Sequence, residues 1–159
     1  MDNAGKWMGL AIAQAKKARQ LGEVPVGAVV VAGGKVVARA HNETIRAHDP
    51  TAHAEIVALR RAGRRLGLHR LTDAVVYVTL EPCAMCVGAM IQARVASLAF
   101  GCRDPKAGAV VSLFQLASDS RLNHRFTFEE GILEADCRDL LAGFFRDRRA
   151  ERRAARRVS

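Results

Sequence analysis

Cys83 and Cys86 stand three apart in the string Pro82-Cys83-Ala84-Met85-Cys86, and His53 and Glu55 stand two apart in His53-Ala54-Glu55. Residues three apart on a helix share a face, so both thiols can reach one ion. Each string follows a loop or strand end and opens a predicted helix, whose positive end favours the thiolate form that binds metal. His53 completes a set of one nitrogen and two sulfurs, which suits zinc, and three protein ligands leave a fourth place for water. Such a metal lowers the pKa of that water toward neutrality. Glu55 beside it can take up a proton and return it to a leaving group, so an acid/base role fits it better than a ligand role. The spacing alone leaves two other readings open: a redox dithiol, or a structural zinc site completed by Cys102, Cys137, His48 or His124. The redox reading gives no use to His53 and Glu55, and the helix-start His-x-Glu adds weight to catalytic zinc.

The elements that must position these residues follow from periodicity. Trp7, Leu10, Ala11, Gln14, Ala18 and Leu21 keep a helical period that Gly22 ends. Val26 to Ala32 and Lys35 to His41 read as a hairpin turned at Gly33-Gly34. Asn42 to Pro50 is a polar loop, after which Thr51 is expected to cap a helix through AHAEIVALRRAGRRL. Ala74 to Leu80 is a buried strand, Pro82 starts a helix carrying CAMCVGAMIQA, and Val95 to Gly101 is the next strand. That order implies a right-handed parallel crossover. Arg103 to His124 is loop-rich with a short helix expected at Ser112 to Ala117, and Phe126 to Glu130 reads as an edge piece. Glu134 to about Arg149 is a final amphipathic helix whose outer turns are expected to fray.

The chain has 159 residues, enough for one ordinary domain, and half of them are apolar with 5% aromatic, which excludes a disordered or collagenous chain. Its net charge of +9 favours a polyanionic partner, nucleic acid first. The excess is uneven: Arg146 to Arg157 holds seven Arg against Asp147 and Glu151. Apolar runs fall short of the roughly 20 residues of a membrane span, and the Met1 start lacks the order of a signal peptide, so the expected location is cytoplasmic. Four cysteines are too few for a disulfide scaffold.

The string His53-Ala54-Glu55 followed by Pro82-Cys83-Ala84-Met85-Cys86 is the zinc nucleobase deaminase signature. More narrowly, VPVGAVVV, HDPTAHAEIVALR, VYVTLEPCAMCVGAMIQARV, FGCRDPKAGA and GILEADCRDLLAGFFRDRR resemble the bacterial tRNA-specific adenosine deaminase family (TadA type) across nearly the whole chain. The resemblance implies an α/β, cytidine deaminase-like three-layer fold, with a mixed five-stranded sheet flanked by helices. It implies a single zinc-dependent deaminase domain over residues 1–159 with an Arg-rich helix end at about 146–157, one Zn²⁺ per subunit held by His53, Cys83 and Cys86, and Glu55 as proton carrier. The activity implied is hydrolysis of the wobble adenosine of a tRNA anticodon to inosine, with an anticodon stem-loop as partner and a homodimer as assembly.

Substrate contacts implied by the same resemblance are Asn42 and Ala54 near the base, and Asp104 and Lys106 on the loop after a strand. Phe144 and Phe145 are about 100° apart on the last helix, so one is expected in the core and the other stacked on an unpaired base, with Arg146 meeting phosphate. Asn42 could instead be a turn residue and the Arg run a solvated helix end. Arg60, Arg61, Arg64 and Arg65 read as solvated surface; Met8, Met85 and Met90 as core filler; Cys102 and Cys137 as buried free thiols. His48 and His124 are expected to border the site. Two rivals remain: a deaminase of a free base or nucleoside of guanine or cytosine type, which needs no RNA surface, and a non-catalytic RNA-binding module with structural zinc, which needs a fourth protein ligand.

Overall fold

Apolar alternation in the first hairpin fixes two cores at once, because successive side chains of a strand point to opposite faces. In β1 (Gly27–Ala32), Ala28 and Val30 pack with one set of buried residues while Val29 and Val31 pack with another. The computed structural model describes residues 3–158. Around β1 the order is α1 (Ala4–Gln20), β1, β2 (Lys35–His41), α2 (Ala54–Leu66), β3 (Val75–Leu80), α3 (Ala84–Ala93), β4 (Ser97–Cys102), β5 (Thr127–Glu129) and α4 (Glu134–Val158). The sheet runs β2-β1-β3-β4-β5, antiparallel across β2-β1-β3 and parallel across β3-β4-β5. A mixed five-stranded sheet flanked by helices is therefore borne out.

Helices α2 and α3 cover one face over Val30, Val76, Val78, Leu98 and Phe100, and α1 and α4 cover the other, where Met8, Ala11, Val29 and Cys137 meet. Each fully buried Val, Leu, Ile, Phe or Met side chain in these layers contributes about 1.5–3 kcal/mol, so the scarcity of aromatics is offset by a Val-rich sheet. The hairpin turns at Gly33 and Gly34 with φ of 59° and 73°, the left-handed pair that a two-residue loop requires.

Several boundaries differ from the sequence reading. Thr51 does not cap α2: its hydroxyl turns back to Asp49 Oδ1 at 2.7 Å, and His53 is the cap residue. The helix expected at Ser112 to Ala117 is a single 3₁₀ turn at Leu116–Ser118. The final helix continues to Val158 instead of fraying near Arg149. Met8 and Met90 are core, but Met85 is exposed. Arg61 is more than solvated surface, since it donates to Arg39 O at 2.7 Å and pairs with Glu43 at 3.1 Å, tying α2 to β2.

Candidate metal centre and substrate cleft

His53 and Cys83 occupy equivalent places, each the cap residue of a helix with extended backbone and no side-chain cap bond. Extended geometry at a cap turns the side chain across the helix end, so α2 and α3 deliver their first side chains and their positive dipole ends to one point. Cys86, one turn into α3 and fully buried, comes up beside them. His53 Nδ1 lies 3.6 Å from Cys83 Sγ and 3.5 Å from Cys86 Sγ, and the three ligand atoms lie within 4.8 Å of one another. A tetrahedral zinc with its usual bond lengths would hold nitrogen and sulfur about 3.6 Å apart. The donor set thus fits a metal ion of that kind. The structural-zinc reading is not favoured, because the group joins these three residues and no other Cys or His among the described residues.

The protonation of these side chains is coupled. The Cys83 thiol is held far down, to about 3, mainly because the Cys86 S–H donates to it; burial opposes this and the His53 contact adds to it. Cys86 is correspondingly pushed up, first by that shared bond and then by burial. His53 is raised by its bond to Cys83, against burial. Glu55, 4% exposed, is raised above the ordinary carboxylate range by burial, which favours a carboxyl able to hold a proton.

The group opens into a cleft of about 1060 Å³, above the upper end for small-molecule pockets. Asn42, His53, Glu55 and Cys83 line its inner end, the Arg103–Ala107 loop lines one side, and α4 lines another with Arg138, Leu141, Phe144, Phe145, Arg148, Arg149 and Arg152. Phe144 is buried and Phe145 is 46% exposed, their rings edge to face at 5.4 Å. Asn42 lines the cleft and ties it to the start of α2. Its Oδ1 accepts from Ala54 N–H at 2.8 Å, satisfying an orphan donor of α2, and this leaves the amide nitrogen to donate into the cleft. Asp104 Oδ1 accepts from the N–H groups of Lys106 and Ala107, so it shapes its own loop while lining the cleft.

Other expected residues lie elsewhere. Ala54 is fully buried outside the cleft lining, its N–H taken by Asn42. Arg146 is exposed but is not on the cleft-facing stripe of α4, which runs through Arg138, Arg148, Arg149 and Arg152. His48 and His124 do not line the cleft, and the His124 ring meets Val95 O at 2.9 Å.

Glu81 and Gly108 were not singled out by the sequence reading. Glu81 is 2% exposed and its carboxylate accepts from the N–H groups of Asp104, Val110, Val111 and Ser112 and from the Ser112 hydroxyl. Burial works to raise its carboxyl, but these bonds outweigh it and hold the group below its ordinary value. Gly108 packs so closely that a Cβ would fall 2.3 Å from the Glu81 carboxyl carbon, so only glycine fits. A signal was present: an acidic residue that ends an apolar strand must find donors when buried.

Residues 2–149 match the MafB19-like deaminase family. The chain is similar to the tRNA-specific adenosine deaminase of Bacillus subtilis, 44% identical over 95% of this chain and 94% of that one. It is also similar to a solved structure from biochemical and structural studies of A-to-I editing by tRNA:A34 deaminases at the wobble position of transfer RNA. That likeness has a TM-score of 0.83 and 43% identity, over 86% of this chain and 99% of that one. A guanine deaminase from Nitrosomonas europaea has a similar fold, with a TM-score of 0.76 and 25% identity over 88% of this chain and 83% of that one.

Proposed function

The chain belongs to the MafB19-like deaminase family, alongside the tRNA-specific adenosine deaminases, and from that membership and the cleft we propose that it converts the wobble adenosine of a tRNA anticodon to inosine. The single observation that carries the RNA substrate is the α4 wall: an exposed Phe145 among Arg138, Arg148, Arg149 and Arg152 opens onto the same cleft as His53, Glu55 and Cys83. A free base needs no such wall, whereas an anticodon loop offers phosphates to the guanidinium groups and unpaired bases to the ring.

His53, Cys83 and Cys86 would hold zinc in this reading, and the bound metal would supply the acidity that makes water a nucleophile near neutral pH. Glu55 accepts a proton from the attacking water and passes protons to the ring nitrogen and to the amino group on C6, which leaves as ammonia while the water's oxygen takes its place. Its burial keeps the carboxyl from being solvated as a permanent anion. Asn42 donates its amide N–H to a purine ring acceptor and is kept in place by Ala54 N–H. Asp104 and Lys106 meet the nucleotide beside the target, and the stacking partner is Phe145; Arg146 and the Arg run to Arg157 attract the more distant phosphates.

The chain acts as one catalytic domain and as a homodimer, in the compartment that holds tRNA, the cytoplasm. The groove between α2 and α3, with Leu68 54% exposed and Met85 beside it, is apolar surface that a second copy would cover. The test is incubation with an anticodon stem-loop carrying a wobble adenosine, and in parallel with free guanine, cytosine and adenosine. Inosine from RNA alone is the expected result; deamination of a free base without RNA turnover would transfer the assignment to the guanine or cytosine type.

A further inference from the structure

Two walls of the cleft are fastened to one short turn, Gly22-Glu23, between α1 and β1. On the first side, Arg148 of α4 donates to Gly22 O at 2.6 Å while its guanidinium lies 4.9 Å from the Phe144 ring centroid. On the second side, the fully buried Glu23 carboxylate accepts from Ile45 N–H at 3.1 Å, from Arg46 N–H at 2.8 Å and from the Thr44 hydroxyl at 3.4 Å. The turn itself is tied to α1 through Glu23 N–H and Ala18 O at 2.9 Å.

A buried carboxylate must be hydrogen-bonded, and backbone donors in a loop must find acceptors, so this arrangement fixes the Thr44–Arg46 loop more firmly than loop chemistry alone would. The side chain so fixed is Ile45. It is 57% exposed, lines the cleft, and shares it with Phe145, the other large apolar side chain left half in solvent there.

We propose that Glu23 is a positioning residue for RNA: it holds the Ile45 backbone so that Ile45, on a wall tied through the same turn to that of Phe145, receives a base flanking the reacting adenosine. This deepens the tRNA reading above and rests on it. Loop bases carry apolar faces that such side chains cover, and a base that loses its apolar cover loses discrimination more than overall attraction, which comes from phosphate contacts.

The test uses the full chain with Glu55→Ala, so that binding is read without turnover. Two stem-loops are compared by their Kd values, one intact and one abasic at the position beside the adenosine. A variant that merely loses folded protein weakens both alike, and the ratio is unchanged. Glu23→Gln replaces an accepting oxygen with a donor facing a backbone N–H, so the Ile45 and Arg46 amides are expected to exchange with solvent about tenfold faster. The preference for the intact loop is expected to fall by about fivefold to tenfold, with zinc content unchanged. Ile45→Ala gives the same fall, and the two substitutions together add nothing further. Unchanged amide exchange overturns the anchoring, and faster exchange with an unchanged ratio overturns the positioning. Absence of binding by either RNA overturns the tRNA reading itself, a result distinct from both.

Discussion

Phe144 and Phe145 are adjacent, chemically identical and in contact, yet their surroundings differ. Phe144 is 7% exposed, packed under the Arg148 guanidinium, whereas Phe145 keeps 46% of its surface in the cleft. Truncating a buried phenylalanine costs about 3–5 kcal/mol, and the lower figure suits a site near the edge of the body. At roughly 2–4 °C per kcal/mol for a chain of this size, Phe144→Ala should lower Tm by about 6–12 °C. Phe145→Ala removes a half-covered ring and one edge-to-face contact, about 1 kcal/mol, or roughly 2–4 °C. Stacking on an RNA base reverses the ranking, since losing it costs about 1–3 kcal/mol, a roughly 5- to 150-fold rise in Kd for an anticodon stem-loop. Thermal unfolding and fluorescence anisotropy at fixed salt read the two effects separately. If Phe145→Ala melts as low as Phe144→Ala, or binds the stem-loop like the parent, the assignment of the two rings is wrong.

Further outcomes follow from the same geometry. Glu55→Gln should abolish inosine formation while metal analysis still finds one zinc per chain, because Glu55 lies outside the His53, Cys83 and Cys86 group proposed to hold it. Binding should weaken steeply with salt, and Arg149→Ala with Arg152→Ala should reduce the log–log slope by roughly 1.4, about 0.7 for each lost contact to single-stranded RNA. Burial pushes the thiols of Cys102 and Cys137 up to about 11 and about 12, so at pH 8 roughly one in a thousand and one in ten thousand are thiolate. A thiol reagent at that pH should leave both unlabelled and reach half-buried Cys83 only after chelation removes the metal, as peptide mapping would show. Gly108→Ala forces a Cβ into the Glu81 carboxyl and should lower Tm and raise KM for RNA together by displacing the Asp104–Ser112 segment. Met85→Glu together with Leu68→Glu should halve the mass measured by sedimentation if the α2–α3 groove is the dimer face.

The metal group was legible because it is local: two helix starts, each with ligands at short spacing, carry it almost completely. The order of the strands and main helices was legible as well, since period and apolar runs are written in the chain. What the sequence left obscure depends on contacts between distant segments. Arg138 joins the cleft stripe and Arg146 leaves it because the face of α4 turned to the cleft is set by packing on β4 and α1, with Arg19 paired to Asp147 at 2.6 Å. Thr51 does not take the expected cap role: His53 is the cap residue, and the Asn42 amide satisfies the first N–H of α2 from twelve residues away. Glu23 and Glu81 look like surface residues of a charged chain until burial and their backbone donors are seen.

The central claim is hydrolytic deamination of an RNA adenosine with Glu55 as proton carrier. Its most direct measurement is mass analysis of nucleosides released from a wobble-adenosine stem-loop after reaction with the zinc-loaded chain in heavy-oxygen water. Inosine bearing the solvent oxygen at C6 is expected with the parent chain and none with Glu55→Ala. Unreacted adenosine with the zinc-loaded parent, or equal inosine from Glu55→Ala, would contradict it.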